Sequence, residues 1–170
     1  MIPKTKREVI NDDFFIRLGV NIKDLAKLVV ENQKPYIPQL TIYEAQESIK
    51  HVMDKREVQH AFITAITLDM MAEQGKLDDT PLGLILKDDA PDYGIDEQIA
   101  ISVAGLYGSI AVSNFGMLDK EKPGIITKLD YMGKSKRHVT TMVDDLACAV
   151  IAGAAARLAH KHQQKHLTIK

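Results

Sequence analysis

Apolar residues recur along most of this chain at intervals of three and four, and no stretch shows the strict alternation of a half-exposed strand. The pattern predicts an all-α fold. Thr5 to Leu18 forms a first helix ended near Gly19, and Asn21 is placed to cap a second, with Asp24 in its first turn and Pro35 beyond its end. Thr41 and Glu44 have capping-box spacing ahead of Ile42, Ala45, Ile49, Val52 and Met53, which recur at helical intervals. A fourth helix is expected from about Lys55 to Gln74, burying Val58, Ala61, Phe62, Ala65, Ile66 and Met70 before Gly75 stops it. Thr80-Pro81 then signals a short helix over Leu82 to Leu86.

Beyond the loop KDDAPDYG, Lys87 to Gly94, the stretch Gln98 to Leu118 carries no formal charge over 21 residues, long enough in principle to cross a bilayer. Gln98, Ser102, Tyr107, Ser109, Ser113 and Asn114 interrupt it, and it lacks flanking aromatic and basic anchors, so a buried central helix surrounded by others is the better reading. Rows of small residues, Ala100-Ala104-Gly108 and Ile101-Gly105-Ser109, would let neighbours approach closely. Asn114 to Gly124 reads as a loop, followed by a short helix ending near Tyr131 and a basic loop from Met132 to His138. The last helix is expected from about Val139 to His162. Its apolar run, Leu146 to Ala156, is too short to span a membrane, and the polar tail from His160 onward is expected to fray. Residues 1–170 read as one helical domain.

Composition narrows the function. Twenty-two basic and twenty-three acidic residues leave a net charge of -1, which excludes a global field for nucleic acid. Cys148 is the only cysteine, so an internal disulfide framework and a thiolate zinc site are excluded and a reducing, cytoplasmic home is expected. Met1 to Glu8 shows no apolar core of a secretory signal. The histidines lack zinc-site spacing, and the methionines read as core filler.

The acidic residues carry the chemistry. Asp96 and Glu97 open the central helix, where a carboxylate also serves as a cap. Asp144 and Asp145 lie between Met142-Val143 and the apolar run, where burial demands a cation or a lysine partner. Asp119 sits near Lys120, Lys122 and the Pro123-Gly124 turn. Carboxylates from separate segments with nearby lysines suit phosphate-ester hydrolysis, because oxygen ligands hold Mg²⁺ while cations neutralise phosphate oxygens. His138, six residues before Asp144, is a candidate acid-base or phosphate contact.

GIDEQIAISVAGLYGSIAVSNFGMLDKEKPGIITKLD, Gly94 to Asp130, and MVDDLACAVIAGA, Met142 to Ala154, resemble the phosphatidylglycerophosphatase A family, most closely its soluble YutG-type branch. Asp96-Glu97, Phe115, Asp119, Lys122-Pro123 and Asp144-Asp145 match the family's elements in order. The resemblance implies Mg²⁺-dependent removal of the terminal phosphate of phosphatidylglycerophosphate or a related ester. It places Asp96, Glu97, Asp119, Asp144 and Asp145 around one or two Mg²⁺ ions, with Lys122 on phosphate oxygens and Asp119, Asp145 and Lys122 in catalysis. Water activated by Mg²⁺ is then the expected nucleophile, with an aspartyl-phosphate intermediate as the alternative. Gly116 stands where membrane-bound members carry an arginine, so Arg137, Lys134 or Lys136 becomes the candidate replacement.

Two other readings compete: a non-catalytic binding protein that keeps the fold, and an all-α nucleotide pyrophosphohydrolase. The second is disfavoured because the acids stand in adjacent pairs and not in Glu-x-x-Glu and Glu-x-x-Asp rows. The expected partners are a phospholipid head group or small phosphate ester, met by peripheral contact at the inner face of a membrane. The small-residue rows further predict a homodimer.

Overall fold

The computed structural model describes residues 4–168 of the chain, with side chains through residue 164. Those residues form α1 (Lys6–Ile10), continued by π-helical turns over Asn11–Arg17, then α2 (Ile22–Gln33), α3 (Ile42–Met53), α4 (Arg56–Glu73), α5 (Pro81–Asp88), α6 (Ile95–Gly105), α7 (Ser109–Glu121), α8 (Ile125–Lys134) and α9 (Val143–Thr168). No strand occurs among them. The capping signals operate as chemistry requires: Thr5 with Glu8 and Thr41 with Glu44 form reciprocal capping boxes, and the side chains of Asn21 and Thr80 cap α2 and α5.

A buried central helix is present, but it is α9 and not the uncharged stretch. Every residue from Thr141 to Ala156 is buried, and α9 packs against α2, α3, α4, α6, α7 and α8. Ala147, Ala149, Ala152, Ala154, Ala155 and Ala156 keep its surface low, so helices on all sides can come close. Around it, Phe14 and Phe62 meet edge to face with ring centroids 5.0 Å apart. Burying each such side chain contributes about 1.5–3 kcal/mol.

Residues 98–118 are two helices. Gly108 takes φ +84°, which an L side chain rarely adopts, and the chain turns back over Leu106–Gly108 into α7. Helix α7 then runs to Glu121, through the segment expected to be a loop, because Ala111, Phe115 and Leu118 bury one face at helical spacing. Leu106, Val112 and Met117 are exposed at 37–40%, so this hairpin is only half buried. Among the described residues no helix is long and apolar enough to cross a membrane. The last helix starts at Val143, four residues later than expected, and continues through the described part of the polar tail; Ile169 and Lys170 lie outside the described residues, as do Met1, Ile2 and Pro3 of the start read for a signal.

The start of α9 is held from three sides. Buried Asp69 of α4 accepts from the backbone N–H of Met142 and of Val143, each at 3.2 Å. The Thr140 hydroxyl donates to the Leu129 carbonyl at 3.0 Å, and that of Thr141 to the Leu86 carbonyl at 2.7 Å. Farther along α9, Gly153 faces the Tyr107 ring at the α6–α7 turn: a Cβ there would lie 2.9 Å from Tyr107 Cδ2. Gly153→Ala is therefore expected to destabilise the protein by about 1–3 kcal/mol despite the better helix propensity of alanine, measured by urea unfolding.

Candidate active site

Three carboxylates converge on one ammonium. Lys122 Nζ lies 3.0 Å from Asp144 Oδ2, 3.2 Å from Asp119 Oδ1 and 3.7 Å from Asp145 Oδ1. Asp119 stands in the last turn of α7 and Lys122 is that helix's C-cap, in the left-handed region at φ +45°. Asp144 and Asp145 occupy the first turn of α9, not its interior, so the positive end of the helix dipole offsets part of their burial cost. Asp144 Oδ1 also accepts from the Asp145 N–H at 2.9 Å.

Burial governs the electrostatics. It pushes Asp144 above the usual carboxylate range, against the opposing charge and hydrogen bond of Lys122. Burial also raises Asp145, reinforced by the charges of Asp144 and Asp119 and by a hydrogen-bonding contact with the Asp119 carboxyl. Burial alone would lower Lys122, but the three surrounding carboxylates outweigh it and hold the ammonium protonated. Asp69, wholly buried behind the pair, is raised first by burial and further by the Asp144 charge.

Asp96 joins the rim of this cluster. Gly94 is the N-cap of α6 and no side chain caps that helix; Asp96 Oδ1 accepts from the adjacent Glu97 N–H at 2.9 Å, while burial and the Asp89 charge raise Asp96 and the Lys122 charge draws it down. The Glu97 side chain is exposed. Asp89, the left-handed C-cap of α5 at φ +49°, faces the site electrostatically, since its charge acts on both Asp96 and Asp144. The Tyr93 hydroxyl, in the same loop, feels the charges of Asp96 and Asp69.

The basic loop does not deliver Arg137 and His138 to the carboxylates. Arg137 is exposed. His138 belongs to a second polar cluster: its Nδ1 is 3.0 Å from Arg17 Nη1 and 3.2 Å from Glu73 Oε2. Arg17 also donates to Asp13 at 2.6 Å and to Glu73 at 2.8 Å. Glu73 is pushed up by burial, yet the Val139 N–H, Arg17 and His138 outweigh this and leave it below its ordinary value. These bonds tie the π-helical turns, α4 and the loop before α9 into one piece, a structural role that accounts for His138. Of the other basic-loop candidates, Lys134 pairs with Asp130 at 2.7 Å and Lys136 with Asp88 at 2.9 Å.

Asp69, Asp89 and Glu73 are polar residues of these clusters that pattern reading passes over. Asp69 had a signal: it falls on the same face of α4 as Phe62, Ala65, Ile66 and Ala72, where an acid is out of place. Asp89 had none, since an aspartate in an Asp- and Pro-rich loop reads as solvated.

Hard oxygen donors gathered around a positive charge are the donor chemistry that Mg²⁺ takes. Among the described residues, however, no three acidic, histidine or cysteine side chains are disposed as a ready-made cage, and the ammonium lies among the three carboxylates. Carboxylates from two helices, meeting a lysine above a buried helix start, give this all-helical protein a charge-dense centre.

The chain belongs to the phosphatidylglycerophosphatase A family, whose model matches residues 17–160. It is 44% identical over 154 residues to the Bacillus subtilis protein YpjQ, covering 91% of this chain and 85% of that one. To YutG of the same organism it is 46% identical over 143 residues, covering 84% of each. The crystal structure of the low temperature requirement C protein of Listeria monocytogenes superposes with a TM-score of 0.85 at 41% identity, covering 95% of this chain and 99% of that one.

A carboxylate raised by burial binds a proton in the folded state that it lacks when unfolded, so stability falls as pH rises above the ordinary carboxylate value near 4. Asp145→Asn is thus expected to be more stable than the unchanged protein at pH 8, by about 1–3 kcal/mol, with the gap closing toward pH 4. Thermal unfolding across that range, without divalent cations, checks it.

Proposed function

We propose that the protein is a Mg²⁺-dependent phosphatase that hydrolyses the terminal phosphate of phosphatidylglycerophosphate or a closely related phosphate ester. The observation that carries the reading is the convergence of Asp119, Asp144 and Asp145 on Lys122, in a chain of this family. Asp119, Asp144 and Asp145 would hold the cation, with Asp96 at the rim. Bound there, Mg²⁺ would supply charge neutralisation for the phosphoryl group and lower the pKa of the attacking water.

The chain's own residues account for the remaining steps. Lys122 pairs as a point charge with phosphate oxygens. Asp145, as a carboxylate, takes a proton at whichever of Oδ1 and Oδ2 is left free as the water oxygen bonds to phosphorus. The same carboxyl returns a proton to the glycerol oxygen as the phosphorus–oxygen ester bond breaks, which a poor alkoxide leaving group requires. Asp119, in contact with Asp145, steadies that proton. Glu97, Arg137 and His138 have no part in this scheme. A lipid substrate would be met by peripheral contact, since the described helices contain no membrane span.

Phosphate release from phosphatidylglycerophosphate with Mg²⁺ tests the reading. Asp119→Asn and Asp145→Asn should each lower kcat by about a hundredfold or more while circular dichroism stays unchanged. Full activity in both variants would overturn the assignment of the site.

A further inference from the structure

Lys122 is built as a fixed backbone carrying a free arm. Its N–H donates to the Leu118 carbonyl at 2.8 Å, and its own carbonyl accepts from the Thr127 hydroxyl. Pro123 follows, removing a backbone torsion from the next residue. The side chain, by contrast, is a four-carbon stem, 29% exposed, whose ion pairs among the described residues are those with the carboxylates at its tip.

Those carboxylates are the oxygens that a divalent cation would use. Oxygen ligands approach Mg²⁺ at about 2.0–2.1 Å, whereas the ammonium holds the same atoms at 3.0, 3.2 and 3.7 Å from the point between them. An ammonium and a divalent cation cannot share that point, and their like charges would repel strongly in a site this buried. We propose that Lys122 is a tethered counter-cation: its ammonium neutralises Asp119, Asp144 and Asp145 in the cation-free protein, and a divalent cation displaces it, freeing the ammonium for the substrate phosphate. This rests on the phosphatase reading above and adds an order to it, cation first and phosphate second. It also explains why Lys122 can belong both to the carboxylates and to the substrate.

Removing the ammonium should therefore strengthen cation binding. Mn²⁺ titrated into the full chain and followed by electron paramagnetic resonance is expected to bind Lys122→Met about tenfold or more tightly than the unchanged protein. Lys122→Arg, which keeps the charge, should bind no tighter than the unchanged protein. In thermal unfolding, Lys122→Met should melt lower than the unchanged protein without cation and regain stability as Mn²⁺ is added, because the ion replaces the lost charge. A Lys122→Met protein that folds only with Mn²⁺ supports the proposal; one that stays unfolded in its presence overturns it. If the unchanged protein binds Mn²⁺ and Lys122→Met binds it no tighter, the tethered-cation proposal fails while the metal site stands. If neither protein binds Mn²⁺, both fail.

Discussion

Two aspartates on the first turn of a helix that is buried from its start through Ala156 set the terms for this molecule. Asp144 and Asp145 expose only 3–4% of their surface, and a buried carboxylate without compensation is among the most destabilising features a core can hold. The free N–H groups at a helix start would be the natural compensation. Here Asp69 has taken those of Met142 and Val143 from the opposite side. The dipole, the Asp145 N–H and Lys122 are left to Asp144, and Asp145 must share a lysine and a neighbouring carboxyl. Stability is thereby given up at a single point, which is what a site poised for a cation or a proton requires.

The remaining helices can be understood as the means of holding that point. Helix α4 brings Asp69, α5 and α8 supply the carbonyls that seat Thr141 and Thr140, and α7 delivers Asp119 and Lys122. Behind the site, Arg17, Glu73 and His138 lock the loop that precedes α9. Its alanine-rich surface makes this possible, since bulkier side chains would keep these helices too far away for their polar groups to meet at one end.

Local chemistry was the part legible in the sequence. Thr5, Asn21, Thr41 and Thr80 announced their helices because a cap is decided within three residues. Asp119, Lys122, Asp144 and Asp145 were legible as a group because their family spacing supplied what distance in sequence hides. Asp69 and the Arg17–Glu73–His138 cluster depend on partners 56 to 121 residues away, and no pattern on either side names the other. The central helix was misplaced for a related reason: an uncharged run and an alanine-rich run look equally fit for a core, and only packing shows which one the others surround.

The uncharged run has a geometric cause of its own. Helix α6 starts at the site with Asp96, and α7 returns to it with Asp119 and Lys122, after a turn at Leu106–Gly108 that packs Tyr107 against Gly153. Gly153 lies nine residues beyond Asp144 on α9, about 14 Å away at 1.5 Å per residue. The charges at both ends of the 21-residue stretch therefore fall at one end of the hairpin, the end where chemistry is proposed. Between them the hairpin lies along α9, where small and apolar residues are needed on the inner face and charge serves nothing. Length and hydropathy alone read such a segment as a membrane helix or a core helix. Its position, out from Asp96 and back to Asp119 and Lys122, makes it a strut that brings both ends of the stretch to one end of α9.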